Sequence, residues 1–283
     1  MFSQLVDIFK LRIGLFMALT ALAGYAVTPG VALDSGQLAL LALIVLGASA
    51  AAGAFNQFAE RDLDARMPRT RQRPFVTGAV GHGVGWLWSI GALLVASVAA
   101  GAWLFNAAVA AYLFLGAFFY GVVYTLWLKQ RTPLNIVIGG ASGSFAILAG
   151  AAAADPGLGA VSVILAAVLF LWTPPHFWAL AIAIHDDYAA ANVPMLPVVK
   201  GDAAAARAIL ASTVVLVGVS LLPVWFGLGA IYLAGAVCGG AYFLYRGMML
   251  VKETSRANAM GCFFASIVQL AALMITAVLD ASF

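Results

Sequence analysis

The chain has 283 residues, of which 64% are hydrophobic and 9% are charged, and its mean hydropathy is +1.04. Soluble domains are about 45–50% apolar and about 25% charged, so this composition excludes a soluble globular protein and predicts an integral membrane protein. The formal net charge of +3 says little about soluble partners, because basic residues are needed for membrane topology. We expect the lipid bilayer, and no nucleic acid, as a partner.

Nine apolar runs are long enough to cross a membrane, because a spanning helix needs about 20 residues. The N-terminal run is interpreted as the first span, since no small-residue cleavage site follows a short apolar core. The spans are predicted at 12–29, 38–57, 86–105, 107–127, 135–154, 159–184, 206–226, 229–247 and 261–281. Pro174-Pro175 removes two backbone donors from the sixth span, which predicts a kinked or restarted helix beside a cavity.

The charge distribution agrees with nine spans. If the N-terminus is inside, all 14 Lys and Arg residues fall at inside positions, whereas the outside loops hold only Asp34, Asp155 and the terminal Asp280. Basic residues favour the cytoplasmic side. The sequence therefore predicts one all-α domain over 1–283: a bundle of nine transmembrane helices in the cell inner membrane, with the N-terminus cytoplasmic and the C-terminus outside.

A polar stretch, 56–77, follows the second span. Its Asn56, Glu60 and Asp64 are spaced four residues apart, which places them on one face of a regular helix and leaves Asp62 on the far side. Such oxygen ligands suit Mg²⁺, which binds one or two carboxylates together with substrate phosphates. The alternative is a solvated basic loop in which the acids are incidental.

A second acidic cluster lies at the inside end of the sixth span. Asp186 and Asp187 are adjacent, and two neighbouring carboxylates repel each other unless a cation or proton lies with them. Facing the triplet of Asn56, Glu60 and Asp64, which we call the first cluster, these carboxylates could hold a metal–diphosphate. Alternatively, they are only the polar end of a helix.

His176 lies eleven residues before Asp187 and therefore deeper in the membrane on nearly the same helical face. It is either a cavity residue or a buried histidine bonded to a free backbone carbonyl.

Several cations and one aromatic residue near these clusters are further candidates for substrate binding. Arginine and lysine bind phosphate oxygens, although topology alone also accounts for basic residues here. The candidate phosphate-binding residues are Arg69, Arg73, Lys129, Arg131 and Lys200. The aromatic face of Tyr124 could stabilise a carbocation.

Four blocks carry a resemblance to a known family: NQFAERDLDARMPRTRQRP, YTLWLKQRTPLNIVIGG, WTPPHFWALAI and DDYAAANVPMLPVV. Together they resemble the UbiA superfamily of intramembrane prenyltransferases, and within it the branch that farnesylates haem. The sequence departs from the superfamily at Glu60, where aspartate is usual, at Gln57, and at Ala183, where the second motif begins with aspartate. The last departure leaves open which of Asp186 and Asp187 faces the metal.

The resemblance implies helices around a central cavity open to the cytoplasm, and Mg²⁺-dependent transfer of farnesyl from farnesyl diphosphate to a vinyl group of haem b (protohaem IX), giving haem O. It implies Asn56, Glu60, Asp64 and Asp187 as catalytic residues, with Glu60, Asp64, Asp186 and Asp187 as metal ligands. His176 is a candidate residue near the haem, either as an iron ligand or as a polar contact. Haem A synthase or oxidase-assembly factors are possible partners. Prenylation of an aromatic ring for a quinone or pigment, and transport of an anionic or metal-bound solute, are the alternatives.

Overall fold

The computed structural model describes residues 2–283, and these residues form helices and connecting loops without a strand. The α-helices are α1 (Phe2–Ile8), α2 (Leu11–Ala26), α3 (Ser35–Ala59), α4 (Arg61–Asp64), α5 (Pro74–Thr77), α6 (Gly85–Leu104), α7 (Ala107–Phe118), α8 (Asn135–Gly139), α9 (Ala141–Ala154), α10 (Ala160–Ala183), α11 (His185–Ala190), α12 (Leu196–Lys200), α13 (Asp202–Ser220), α14 (Ala230–Lys252) and α15 (Arg256–Asp280). A π-helical segment, Phe119–Leu128, extends α7, and a 3₁₀ helix, Leu222–Phe226, follows α13.

Eight helical units within residues 2–283 are long and apolar enough to cross a membrane. They are Ser35–Ala59, Gly85–Leu104, Ala107–Leu128, Asn135–Ala154, Ala160–Ala183, Asp202–Phe226, Ala230–Lys252 and Arg256–Asp280. Each overlaps a predicted span. The first predicted span corresponds to α2, whose 16 residues fall short of the roughly 20 that cross a bilayer upright. The protein is therefore a multi-pass, all-helical membrane protein.

Local polar contacts fix where several helices begin. Asp34 and Gln37 form a reciprocal capping box at the start of α3, which satisfies donors that have no partner inside the helix. Asn106 caps α7 through Val109 N, and its amide also donates to the carbonyl of Ala152 at 2.7 Å. This contact explains the very tight turn between α6 and α7.

Glycine allows α2 and α9 to approach backbone to backbone. A Cβ atom added at Gly150 would lie 1.7 Å from the carbonyl oxygen of Ala21, and one at Gly24 would lie 2.2 Å from that of Ile147. Small residues at such crossings let membrane helices pack closely. Successive spanning helices pack side by side around the bundle, and α15 also contacts α2, so the end of the chain meets its beginning.

The predicted restart of the sixth span at Pro174-Pro175 is wrong, because α10 continues through both prolines to Ala183. The alternative, a kink at these prolines, stays a prediction. Thr173 and the two prolines are buried where α10 packs against α9, α13 and α15. Neighbouring helices can hold a proline-containing membrane helix together although two of its hydrogen bonds are missing. The hydroxyl of Thr173 also donates to the carbonyl of Leu169 at 2.9 Å.

Candidate active site

The predicted ligand triplet lies at the C-terminal end of α3 and in the residues that follow it. Asn56, Glu60 and Asp64 are only 2%, 4% and 2% exposed, whereas Asp62 is exposed as its spacing predicts. The expectation of one regular helix is wrong, because α3 ends at Ala59 and Glu60 adopts a non-helical conformation (φ −95°, ψ 11°) before α4. Hydrogen bonds from Glu60 N to Asn56 O and from Asp64 N to Glu60 O nevertheless keep the four-residue spacing.

Each member of this triplet has a cationic partner. Lys129 Nζ lies 2.5 Å from Glu60 Oε2, and Arg73 Nη1 lies 2.6 Å from Asp64 Oδ2. Lys10 Nζ donates to Asn56 Oδ1 at 2.5 Å. Burial raises the pKa of the Asp64 carboxyl group, and the positive charge of Arg73 opposes this effect. The structure therefore brings two predicted phosphate cations, Lys129 and Arg73, together with the predicted ligands.

Lys10 is a site residue that the sequence assigned only to topology. It joins α1 to α2 in the left-handed conformation (φ 48°), and its side chain packs over Gly53, where an added Cβ would lie 3.2 Å from Lys10 Cβ. Its ammonium group also donates to the hydroxyl of Tyr120 at 3.0 Å. Burial, together with the positive charge of nearby Arg73, lowers the pKa of Lys10 to about 7.

The π-helical segment carries the aromatic wall of the site. Thr125 accepts a hydrogen bond from Asn56 Nδ2 at 2.9 Å and donates to the carbonyl of Tyr120, five residues earlier. The rings of Tyr120 and Tyr124 stack with centroids 5.8 Å apart. Lys10 Nζ lies 5.5 Å from the Tyr120 centroid and Lys129 Nζ lies 5.7 Å from that of Tyr124. π-Helical turns occur frequently at functional sites.

The second acidic cluster lies beside an open cleft of about 690 Å³ at the same end of the bundle. Asp186 is exposed and Asp187 half-buried, and Arg69 reaches the cleft from the loop of the first cluster. Tyr188 is buried below them. Burial raises the pKa of its hydroxyl, the positive charge of Arg69 opposes this rise, and the negative charge of Glu60 adds to it. The cleft is lined by Arg69, Ile182, Ala183, Ile184, His185, Asp186, Asp187, Asp202 and Arg256.

Two charged lining residues of this cleft, Asp202 and Arg256, were not predicted as site residues. His185 Nδ1 lies 2.7 Å from Asp202 Oδ1, which joins α11 to the start of α13, and Arg256 approaches from α15. Arg256 had no local signal beyond its charge, because only the packing of α15 beside α10 brings it here.

The structure does not bring every predicted cation to the site. Lys200 and Arg131 are exposed, and within residues 2–283 neither side chain forms an ion pair or hydrogen bond with the other predicted residues.

His176 is 7% exposed and lies on α10 at the contact with α15, where its Nδ1 is 2.7 Å from Ser266 Oγ. Its partner is thus a side-chain hydroxyl rather than the backbone carbonyl that the sequence suggested.

The residues of the first cluster suit a magnesium ion that also binds phosphate. Within residues 2–283, no three His, Cys, Asp or Glu side chains are grouped closely enough to hold a metal ion by themselves, so the four predicted carboxylates do not form a complete protein cage. Glu60 Oε1 is buried without a described hydrogen-bond partner, which leaves a carboxylate oxygen free for a cation. Mg²⁺ typically takes one or two carboxylates and completes its shell with phosphate oxygens and water.

Comparisons with known proteins identify the family of this chain. Residues 17–268 match the model of the UbiA prenyltransferase family. This chain belongs to that family. It is 56% identical over 275 residues to protoheme IX farnesyltransferase 2 of Paramagnetospirillum magneticum, an alignment that covers 97% of this chain and 95% of the relative.

Solved structures of UbiA homologues share the fold. The apo structure of the homologue from Aeropyrum pernix K1 has a TM-score of 0.75 and 21% identity, covering 94% of this chain and 98% of that chain. The homologue from Archaeoglobus fulgidus, bound to GPP and Mg²⁺, has a TM-score of 0.71 and 16% identity, covering 96% of this chain and 99% of that chain. At these identities the likeness establishes the fold alone.

Proposed function

We propose that this protein transfers a farnesyl group from farnesyl diphosphate to a vinyl group of haem b, giving haem O. The observation that carries the proposal is the buried triplet of Asn56, Glu60 and Asp64, paired with Lys10, Lys129 and Arg73. The relative from Paramagnetospirillum magneticum is named for farnesyl transfer to protoheme IX, and the Archaeoglobus homologue was solved with a prenyl diphosphate and Mg²⁺. Both support this assignment.

Glu60, between α3 and α4, and Asp64, in α4, would hold magnesium together with Asp187 or Asp186 from α11. When bound, the ion supplies positive charge that neutralises the diphosphate leaving group. Lys129, Arg73 and Lys10 are the cations that exchange their present partners for diphosphate oxygens, and Arg69 is available at the cleft. Their positive charge stabilises the negative charge that develops as the allylic C–O bond breaks.

The stacked rings of Tyr120 and Tyr124 present π faces close to these cations. After diphosphate and the cations pair, the same faces are available to the allylic carbocation, and the buried setting excludes water from it. The vinyl group then attacks the cation, and a water molecule adds to the resulting haem-side carbocation to form the hydroxyethyl group with loss of a proton.

The membrane arrangement is part of the proposal. We infer a single domain with nine spans in the cell inner membrane, the N-terminus in the cytoplasm and the C-terminus outside. The family match over residues 17–268 supports one domain, and the short α2 can complete the ninth span if the bilayer thins or the flanking residues reach the interface. Haem A synthase or an oxidase-assembly factor would be a partner that receives the product.

The decisive experiment combines purified protein, Mg²⁺, farnesyl diphosphate and haem b, with mass spectrometry of the extracted pigment. We expect a haem that has gained farnesyl and water, formed only with Mg²⁺ and absent from folded Asp64→Asn. Unchanged haem, with prenylation of 4-hydroxybenzoate instead, would assign the protein to aromatic prenylation. If folded protein prenylated neither acceptor, the enzymatic assignment would be wrong and solute transport would become the hypothesis.

A further inference from the structure

His176 is clamped between aromatic rings at the contact of α10 with α15. Its imidazole stacks on Trp172, with centroids 4.1 Å apart, and on Phe263, with centroids 4.4 Å apart. The ring of Phe177 meets its edge at 4.9 Å. Two stacked neighbours fix the plane of the imidazole, so its two nitrogen atoms point in defined directions.

The hydrogen bonds of Ser266 determine which nitrogen carries the proton. Ser266 Oγ donates its only hydrogen to the carbonyl of Phe263 at 2.6 Å. The same oxygen lies 2.7 Å from His176 Nδ1 and must therefore accept a hydrogen bond from Nδ1–H. Ser266 is fully buried, and its carbonyl accepts from Trp172 Nε1 at 2.7 Å, so one residue orients both members of the stack.

The other nitrogen, Nε2, then keeps its lone pair. No described protein group within residues 2–283 forms a hydrogen bond with it. A neutral imidazole whose Nδ1–H donates to an oxygen, leaving Nε2 free, is the arrangement found in metal-ligating histidines, because the first hydrogen bond fixes both tautomer and ring orientation.

The position of His176 along α10 shows where its imidazole lies relative to the cleft. His176 precedes the lining residue Ala183 by seven residues on α10, and Phe263 follows the lining residue Arg256 by seven residues on α15. Seven residues are two helical turns, about 10 Å, so the stack lies beneath the cleft on the same faces of both helices. Arg69 and Arg256 at the rim suit the carboxylates of a porphyrin.

We propose that His176 Nε2 ligates the iron of the haem acceptor, and that Ser266 is the positioning residue that holds His176 in the Nδ1–H tautomer. The proposal rests on the proposed function, because it names the group that holds the acceptor of that reaction. Ligation from beneath the cleft fixes the porphyrin relative to the first cluster, so that one vinyl group faces the allylic carbon.

The test compares two ligands that differ only in the metal. Ferric haem b and metal-free protoporphyrin IX are titrated into purified, detergent-solubilised protein, and the Soret band and the dissociation constant are recorded for each. The variants are His176→Ala, Ser266→Ala and Ser266→Thr. His82→Ala is the matched control, because His82 is exposed on an inner loop and stacks on Phe58 away from this cluster.

The wild type and His82→Ala should give the Soret band of imidazole-ligated haem. His176→Ala should lose this band and bind haem more weakly, while its affinity for protoporphyrin IX stays the same. Ser266→Ala should weaken haem binding by roughly 10- to 100-fold, as replacement of the partner of a metal-ligating histidine does, again without an effect on protoporphyrin IX. Ser266→Thr, which keeps the hydroxyl, should recover the wild-type spectrum.

A wild-type spectrum in His176→Ala would overturn the proposal, and so would an equal loss of affinity for both porphyrins, which indicates a packing role. If either of these results were found while the wild type formed haem O normally, only the inference about His176 and Ser266 would fail. If the wild type neither bound haem nor converted it, the proposed function itself would fail. Circular dichroism and gel filtration of each variant identify any that is unfolded. If His176→Ala is unfolded, His176→Gln takes its place in the same titrations, and if Ser266→Ala is unfolded, Ser266→Cys does so.

Discussion

At the scale of single residues, the site is built from oppositely charged or polar pairs whose members lie far apart in the chain. Lys129 and Glu60 are 69 positions apart, as are Asn56 and Thr125, and Lys10 is 46 positions from Asn56. A buried charge without a partner is strongly destabilising. The paired cations therefore balance the buried negative charge of Glu60 and Asp64.

Lys10 gives a direct test of this arrangement. Lys10→Gln should lower kcat/KM for farnesyl diphosphate by roughly 10- to 100-fold, since a hydrogen bond to a charged group contributes about 1.5–3 kcal/mol. The measurement is initial-rate kinetics at saturating haem. Lys252→Gln is the control, because Lys252 is an exposed lysine at the C-terminal end of α14. Equal rates for wild type and Lys10→Gln would remove Lys10 from the substrate site.

At the scale of helices, departures from regular geometry are concentrated around the site. Glu60 ends α3 early, and the last ten residues before Lys129 form a π-helix. A π-helix places residue i+5 over residue i, so Lys129 N donates to Tyr124 O, and the side-chain hydroxyl of Thr125 reaches the carbonyl of Tyr120. This register brings Tyr124 and Lys129 to one face, which a regular α-helix would rotate apart.

The crossing of α2 and α9 can be tested with two glycines. Gly150→Ala should destabilise the protein by at least the roughly 1–3 kcal/mol typical of overpacked sites, because the new methyl group would overlap the Ala21 carbonyl. Gly91→Ala, whose Cβ meets nothing within 4 Å, should keep or raise stability, since alanine favours helices. Thermal unfolding in detergent compares the two. Equal melting temperatures would show that α2 and α9 do not pack this closely.

At the scale of the whole molecule, exposed tryptophans mark both ends of the bundle. Trp88 and Trp127 lie at the end that holds the cleft, whereas Trp103 and Trp225 lie at the opposite end. Trp88 and Trp103 are separated by about 22 Å along α6, compared with a hydrocarbon core of about 30 Å. Tryptophan is enriched at membrane interfaces, so these side chains indicate where the bilayer surrounds the bundle.

The orientation of the chain can be measured with single cysteines in a Cys238→Ser background, since the remaining Cys262 is buried. Pro156→Cys should react with a membrane-impermeant maleimide added to intact spheroplasts, because the positive-inside rule places its loop outside. Gln130→Cys should react only after permeabilisation. Both positions are exposed, so burial does not decide the outcome. The opposite labelling pattern would reverse the proposed topology.

The sequence alone determined that this is a helical membrane protein, where its spans lie, and which carboxylates are candidate ligands. Those features depend on the hydrophobicity of each segment and on short spacings such as Asn56, Glu60 and Asp64, which are local properties of the chain. Only the tertiary structure decided that Lys10 belongs to the site, that α10 continues through Pro174-Pro175, and that Ser266 holds His176. Each of these depends on packing between helices distant in sequence, which no local pattern encodes.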